Sequence, residues 1–375
     1  MLAVQEFLMN NPIHLLTEKW GIEVKETEHF YQLNYSQFNT PRFIQICEEC
    51  RGLILDKHTY GVVSYSFSRF YNENERQDPF DLDNSVLQEK LDGSLLTLYW
   101  DMYENKWRVC TRGMPFAEGT TPFDHDKTFN DFFWEAYANH IDNTDMLDKN
   151  ICYMFELVGP ENRIMKLYEK PSLYLLGARS LREEKELDQF ELNMWSELMN
   201  VPRPKTYSFN KREDINEIID TFDPTEEGFV AVNYNTMING NYQRIKIKCP
   251  RYLALSKLVN AGGEELLQSK RMFYLWVADG LDEIRESFPE YNDKVDELLR
   301  RIEQFDKDIM SEYNSHYVSD KKEFAMRVKG LEWSSIHFLL HANKLEVPSA
   351  FLKDEKHKKM RAELFIRYCE RFDNE

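Results

Sequence analysis

The feature that most constrains this chain is a change in the spacing of its apolar residues near Pro250. Before that point, short apolar runs with alternation are separated by turns, which is the pattern of strands. RGLILD (51–56) and GVVSYSF (61–67) flank a turn at Lys57–Tyr60 and predict a hairpin. LLTLYWD (95–101) and KWRVCTR (106–112) flank MYEN and predict another. ICYMFELV (151–158), SLYLLGARS (172–180), GFVAVNY (228–234) and YQRIKIK (242–248) predict further strands. Two helices interrupt them, around 130–141 (NDFFWEAYANHI) and 185–198 (KELDQFELNMWSEL), and 71–84 (YNENERQDPFDLDN) reads as a surface loop. Pro250 resists continuing a strand. Beyond it the spacing becomes three and four: Leu255 and Leu258, Leu266 and Leu267, Tyr274 and Val277, then Val295, Leu298, Leu299 and Ile302. These are helical stripes. The predicted fold class is α+β, with a domain of mostly antiparallel sheets over 1–252 followed by an all-helical domain over 253–375.

Composition narrows the setting. Of the 375 residues, 42% are hydrophobic, enough for real cores, while 30% are charged and no run of about 18 apolar residues occurs, which argues against a membrane-spanning helix. The first residues, MLAVQEFLMNNPIHLL, lack a basic stretch and carry Glu6, unlike a signal peptide. Six irregularly spaced cysteines point to reduced thiols in a cytoplasmic setting. The net charge of −18 argues against broad, non-specific nucleic-acid binding, which needs a basic surface. It leaves room for a few cations in one cleft. The share of 253–375 is −4, leaving −14 for 1–252. The tail also holds a basic segment, 353–361, with Lys353, Lys356, Lys358, Lys359 and Arg361, readable as a solvated helix face or as a binding patch.

Common nucleotide and metal motifs are missing. There is no G-x-x-x-x-G-K-[ST] and no G-x-G-x-x-G. Cys47 and Cys50 have C-x-x-C spacing but no second pair, so structural thiols are expected. His337 and His341 stand four apart, yet Phe338 occupies the place where a zinc-protease motif needs Glu.

Other residues could carry chemistry. Lys90 ends a short strand, QEK, before a turn at Leu91-Asp92-Gly93; Gly93 would let backbone approach a ligand closely. Taken alone this is a hairpin turn with a surface lysine. In Arg244-Ile245-Lys246-Ile247-Lys248, period two puts Lys246 and Lys248 on one face. Two like charges side by side suit a phosphate, although a half-exposed edge strand guarded by lysines would look the same. Glu156 interrupts the apolar run of Phe155-Glu156-Leu157-Val158 and needs solvent, a cation or a ligand hydroxyl. Glu226-Glu227-Gly228 opens a strand, and Glu49-Cys50-Arg51-Gly52 puts a cation at the start of another.

The order of these elements is more informative than any one of them. Lys-x-Asp-Gly, then Phe-Glu, then Glu-Gly, then Lys-x-Lys resembles the covalent nucleotidyltransferase superfamily of polynucleotide ligases and capping enzymes. Glu-Cys-Arg-Gly before the lysine, Arg69-Phe70-Tyr71-Asn72, Thr111-Arg112-Gly113 and the run Glu156-x-Val158-x-Pro160-x-Asn162-Arg163-Ile164 resemble the phage RNA ligase 1 family, the tRNA-repair type. The likeness covers about 30–250, and the tail is similar in size and place to that family's C-terminal domain.

The resemblance implies an ATP-dependent RNA ligase. A lysine attacks the α-phosphorus of ATP, AMP passes to an RNA 5′-phosphate, and a 3′-hydroxyl displaces it. By matching position, Lys90 is the nucleophile, and Gly93 and Ser94 complete its turn. Glu156 matches the ribose-binding glutamate, Glu227 the carboxylate that supports metal and nucleotide, and Lys246 and Lys248 the phosphate-contacting pair. Arg51 matches an arginine that orients the nucleotide, Tyr35 a nucleotide-contacting tyrosine, and Asp282 a metal-linked acid. Arg69 and Arg112 stand where the family has lysines, and Tyr71 where it has phenylalanine. Arginine keeps the charge but demands fork-like geometry. The expected cofactors are ATP and Mg²⁺, with Mn²⁺ as a substitute. The expected partner is RNA, as single-stranded ends or a nicked tRNA anticodon loop, acting after a polynucleotide kinase-phosphatase, in the host cytoplasm if viral. Lys246 and Lys248 are expected to lower the pKa of Lys90 and free its lone pair. Alternatives are a DNA ligase or capping guanylyltransferase, or a non-catalytic RNA-binding protein on a decayed scaffold.

Overall fold

A computed structural model describes residues 1–76, 78–140, 144–209, 211–259, 269–277, 281–287, 291–353 and 357–372. It divides into two compact units, Met1–Tyr252 and Leu253–Glu375.

The first unit begins with helices α1 (Ala3–Leu8) and α2 (His14–Trp20), strands β1 (Ile22–Glu26) and β2 (Phe30–Tyr35), and a short α3 (Gln45–Glu49). Then come β3 (Arg51–Asp56), β4 (Val62–Ser64), β5 (Tyr71–Asn72), β6 (Val86–Glu89), β7 (Ser94–Asp101) and β8 (Lys106–Cys110). Helix α4 (Phe129–Ala138) precedes β9 (Ile151–Val158), β10 (Ser172–Ser180) and β11 (Lys185–Glu186). Helix α5 (Gln189–Met199), β12 (Thr206–Tyr207), α6 (Arg212–Asp220), β13 (Gly228–Ile238) and β14 (Asn241–Lys248) complete the order. Three sheets result, ordered β1-β2-β3-β4, β11-β10-β9-β7-β8 and β12-β6-β13-β14-β5. The paired strands run antiparallel except β14 with β5. This is the mixed, mostly antiparallel α+β architecture the sequence predicts.

Local chemistry explains the departures. The helix expected over 185–198 starts only at Gln189. Asp188 caps it: its carboxylate accepts the Glu191 amide at 2.8 Å, and Glu191 returns a bond to the Asp188 amide at 2.8 Å. Lys185 and Glu186 pair with Ser180 and Arg179 as a strand instead. The expected strand 61–67 is short, Val62–Ser64, and the loop at 71–84 contains β5 and a turn of 3₁₀ helix at Glu73–Glu75. The helix at 130–141 is seen as Phe129–Ala138, while Ile141 lies outside the described residues.

The main core lies between the middle sheet and α4 and α5, where Phe132, Phe133, Phe155, Leu173 and Met199 are fully buried. Strand β9 is buried along nearly all its length because it is central in its sheet and covered on both faces. A buried trio ties the two larger sheets together. Glu186 of β11 pairs with Arg179 of β10 and Arg244 of β14, and all three are under a tenth exposed.

The described residues of the second unit are helical, with no strand among them. Helix α7 (Pro250–Val259) crosses the boundary with its proline at the first position, where the missing N–H costs nothing. Then come α8 (Ser269–Val277), α9 (Leu281–Ser287), α10 (Asn292–His316), α11 (Lys321–Val328), α12 (Ser334–His341) and α13 (Lys358–Phe372). Along α10, Val295, Leu298, Ile302, Phe305 and Ile309 are buried, and Phe305 meets Trp333 and Tyr368 with ring centroids 5.0 Å apart. Leu299, expected in that stripe, is 38% exposed, one step off the buried face. Leu266, Leu267 and Lys356, and the side chains of Leu255, Leu258, Lys358 and Lys359, lie outside the described residues. Among the described residues no helix is long and apolar enough to cross a membrane.

Candidate active site

Strand β6 ends at Glu89, and Lys90 follows it with its amide bonded to the Gly228 carbonyl at 2.9 Å. The Lys90 turn is thereby pinned to the mouth of β13. Gly228 adopts φ +125°, and a Cβ there would meet the Ile247 carbonyl oxygen at 2.2 Å. Gly93 is needed for a related reason. A Cβ at Gly93 would lie 2.4 Å from the Leu157 carbonyl oxygen, so its bareness admits β9. The Gly93 amide donates to Glu156 Oε1 at 3.1 Å, and Ser94 donates to Asn162 Oδ1 at 3.0 Å.

Asp92 anchors the turn from beneath. It is 2% exposed and accepts the amides of Met165 at 2.7 Å and Lys166 at 2.8 Å, and the Tyr252 hydroxyl at 2.7 Å. Lys166 also bridges Glu89 (3.5 Å) and Glu226 (3.3 Å). None of these supports was singled out from sequence. Asp92 stood inside the Lys-x-Asp-Gly motif, but nothing local announced Tyr252 or Lys166 as its partners.

The carboxylate of Glu227, 8% exposed, sits between two lysines. Lys90 Nζ donates to Oε2, and Lys248 Nζ lies 2.6 Å from Oε1. Strand β14 supplies Lys246 and Lys248 on one half-exposed face while Ile245 and Ile247 are buried. It is flanked by β13 and, at its C-terminal half, by β5. The edge-guard reading therefore does not apply.

The electrostatics reverse one expectation. Lys246 and Lys248 were expected to depress Lys90. Burial does push Lys90 down, but the carboxylates of Glu227 and Glu156 outweigh it, so its pKa is raised. The depressed amine is Lys246, lowered to about 7 by burial and by Arg51, Lys90 and Lys248. Burial raises Glu156 to about 7 against the pull of Lys90. Glu227 is lowered: burial would raise it, but Lys90 and Lys248 win.

Lys90, Glu156, Glu227, Lys246, Lys248 and Arg51 line one cleft of about 190 Å³ with Phe67, Phe70, Leu95, Leu176 and Val230. Charged groups thus face a surface apolar enough for a flat ring. Phe70 stands among the cations, with Lys246 Nζ 4.7 Å and the Arg51 guanidinium 5.5 Å from the ring. The sequence reading named Tyr71 as the aromatic. Of Arg69, Phe70 and Tyr71, only Phe70 lines the cleft, and all three line an adjoining cavity.

A second cluster gathers on Tyr35. Arg69 lies over its ring at 4.2 Å, Arg112 stands at 5.5 Å, and Arg51 is near enough to interact with it electrostatically. The four residues thus meet although they come from four segments. Tyr71 instead donates to Glu48 at 2.9 Å. Asp282 is exposed on α9, and no group of three His, Cys, Asp or Glu residues able to hold a metal occurs among the described residues. Asp279 and Gly280 lie outside them. Cys47 and Cys50 are buried free thiols of the core. His337 bonds to Glu312 at 2.8 Å and His341 stacks on Phe324 at 4.1 Å, so both are committed to helix packing.

Known proteins resemble this chain in the same region. A model of the RNA ligase family of the phage T4 RNA ligase 1 type matches residues 49–252. A protein of Autographa californica nuclear polyhedrosis virus, named as a bifunctional polynucleotide kinase/RNA ligase, is 33% identical over 283 residues, or 68% of this chain. The chain spans 38% of that relative's length. An RNA ligase of Rhodothermus phage RM378 is 25% identical over 347 residues, covering 74% of this chain and 77% of the phage protein. Among solved structures, an archaeal ATP-dependent RNA ligase aligns over 78% of each chain at 12% identity, with a TM-score of 0.42.

Proposed function

The chain belongs to the RNA ligase family whose model it matches over more than half its length, and from that premise we propose that it is an ATP-dependent RNA ligase, joining 5′-phosphate and 3′-hydroxyl ends through a lysyl-AMP and an adenylylated RNA. One observation carries the reading. Lys90, Glu156, Glu227, Lys246 and Lys248, five residues from separate motifs, line a single cleft.

Each has a role its surroundings suit. Lys90 Nζ attacks the α-phosphorus of ATP, a P–N bond forms, and the bond to pyrophosphate breaks. Attack needs the uncharged amine, so the ion pair with Glu227 must open, and Glu227 stands on the path by which the proton leaves. Lys246 and Lys248 face the charge that builds on the phosphate. Because Lys246 titrates near 7, an arriving phosphate would draw it into its charged form. Glu156, held by the Gly93 amide, is placed for a sugar hydroxyl. The apolar walls at Phe67, Phe70 and Leu176 suit the base. Tyr35, Arg51, Arg69 and Arg112 form the cation cluster suited to the remaining phosphates and to the RNA 5′-phosphate.

A divalent metal, Mg²⁺ or Mn²⁺, fits this site only as a companion of the phosphates. Both Glu227 oxygens are taken by lysines and no protein cage exists among the described residues. Mg²⁺ needs only one or two carboxylates beside phosphate oxygens and water, and it supplies positive charge to the phosphates when bound. Nothing about exposed Asp282 supports a metal role.

Two observations weigh against the alternatives. A DNA ligase or capping enzyme usually appends an OB-fold barrel, but no strand occurs among the described residues of 253–375. A decayed scaffold would not keep the five cleft residues together. We infer that 1–252 is the adenylyltransferase domain and that 253–375 selects the RNA. The ends it joins are those a kinase-phosphatase leaves, and the name of the baculovirus relative couples a kinase to a ligase. Incubation with ATP, Mg²⁺ and a 5′-phosphorylated single-stranded RNA is expected to yield circles or concatemers. Sealing that requires GTP, or that acts on nicked DNA but not RNA, would contradict the proposal.

A further inference from the structure

Beside the lysine cleft lies a second cavity of about 210 Å³. The two share Phe70 and Arg244 in their walls, so they adjoin. We propose that this second cavity seats the terminal nucleotide of the RNA strand. This rests on the ligase reading above and adds the place where the polynucleotide is held.

The lining pairs aromatic faces with cations, the combination that grips single-stranded nucleic acid. Phe43 and Tyr71 form one wall, their ring centroids 4.6 Å apart and 34° from parallel. Phe43 is held there against its backbone preference, at φ +62°. A bulky residue in the left-handed region persists when its surroundings fix it. The fixing contact is its own amide, which donates to the Tyr71 hydroxyl at 3.2 Å. The same loop presents Phe38, 95% exposed, and Arg42, whose guanidinium lies 5.9 Å from the Tyr71 ring.

Of the cations in the wall, Arg244 is spent on Glu186, which leaves Arg69 and Arg76. Arg69 Nη1 is buried with no hydrogen-bond partner. Arg76 bonds to the Asp78 carbonyl at 3.0 Å and faces the Phe80 ring, and among the described residues it forms no ion pair. Two guanidiniums with donors to spare suit a phosphodiester. Three carboxylates stand in the wall, and Asp78 lies beside Arg76, whose charge it partly offsets. Glu48 accepts from Tyr71 at 2.9 Å, and Glu49 accepts the amides of Ala3 and Val4 at 3.1 and 2.9 Å, so both are turned to partners within the fold. The lysine cleft has the reactive groups for ATP. This cavity has none, but it has the stacking faces and cations of a holding site, next to where the transferred AMP would sit.

The test uses the full chain, its Arg76→Ala and Phe43→Ala variants, and a fluorescent 5′-phosphorylated single-stranded RNA with a blocked 3′ end. Phe43 is 38% exposed on a loop, so its loss empties no core. Both variants are expected to take AMP from ATP onto Lys90 within about twofold of the parent. RNA binding, read by anisotropy, and AMP transfer to the RNA are each expected to fall by about tenfold, the loss of one stacked base or one phosphate contact. Unchanged RNA binding and transfer in both variants would overturn the proposal. So would an equal loss of lysine labelling, which would assign the cavity to ATP. Should the parent take no label from ATP, the ligase reading fails. The anisotropy arm would then decide the cavity alone, with lost binding supporting it and unchanged binding refuting it.

Discussion

Lys246 is the residue whose charge the cleft suppresses, and the reason is local crowding. Arg51, Lys90 and Lys248 surround it and Phe70 covers it, while the nearest carboxylate, Glu227, is spent on its neighbours. In the unfolded chain Lys246 keeps its proton up to its ordinary value near 10.5, whereas in the fold it loses it near 7. The unfolded state therefore binds the extra proton between those values. The penalty is full below about pH 7 and fades as pH rises toward about 10.5. Lys246→Met removes it. The variant should melt above the parent at about pH 6.5, with the gap shrinking by about pH 9.5. An equal gap at both values in thermal melts would show that Lys246 is not depressed. Sequence reading found the cluster but not this sign. Lys90 and Lys246 both stood near cations on paper. Which of them keeps a carboxylate depends on Glu227, 137 residues from Lys90.

Elements set these distances, and here glycine is decisive. Gly93 lets β7 leave the Lys90 turn against β9, so Gly93→Ala drives a methyl into the Leu157 backbone. The cost should be about 1–3 kcal/mol, as for overpacking, read as a lower urea midpoint together with loss of lysine labelling. An unchanged midpoint would mean the turn has room that the geometry denies. Strands such as β9 and β14 were legible because an unbroken apolar run or a strict alternation leaves little choice. Helix α6 was not: REDINEIID is charged at most positions, and only Ile215 and Ile219 mark its buried face. The start of α5 was misjudged because Lys185-Glu186-Leu187-Asp188 has good helical propensity, yet Asp188 caps rather than continues.

At the scale of the whole chain, a net charge of −18 coexists with a cleft whose cations converge on one spot. The acidic balance argues against a generic basic surface, so the proposed RNA substrate would be gripped at few points near its end. All the cleft residues lie in 1–252, but Tyr252 must stay because its hydroxyl holds Asp92. Removing 260–375 is therefore expected to spare transfer of AMP to Lys90 and to impair repair of a nicked tRNA loop. Equal tRNA repair by the shortened chain would contradict the specificity role given to the helical unit. The central claim is that Lys90 is the nucleophile, and one measurement tests it most directly. The protein is incubated with α-labelled ATP and Mg²⁺, denatured, and compared with Lys90→Ala. The account predicts label on the parent chain and none on the variant. Label that survives in Lys90→Ala, or a parent that takes none from ATP, would contradict it.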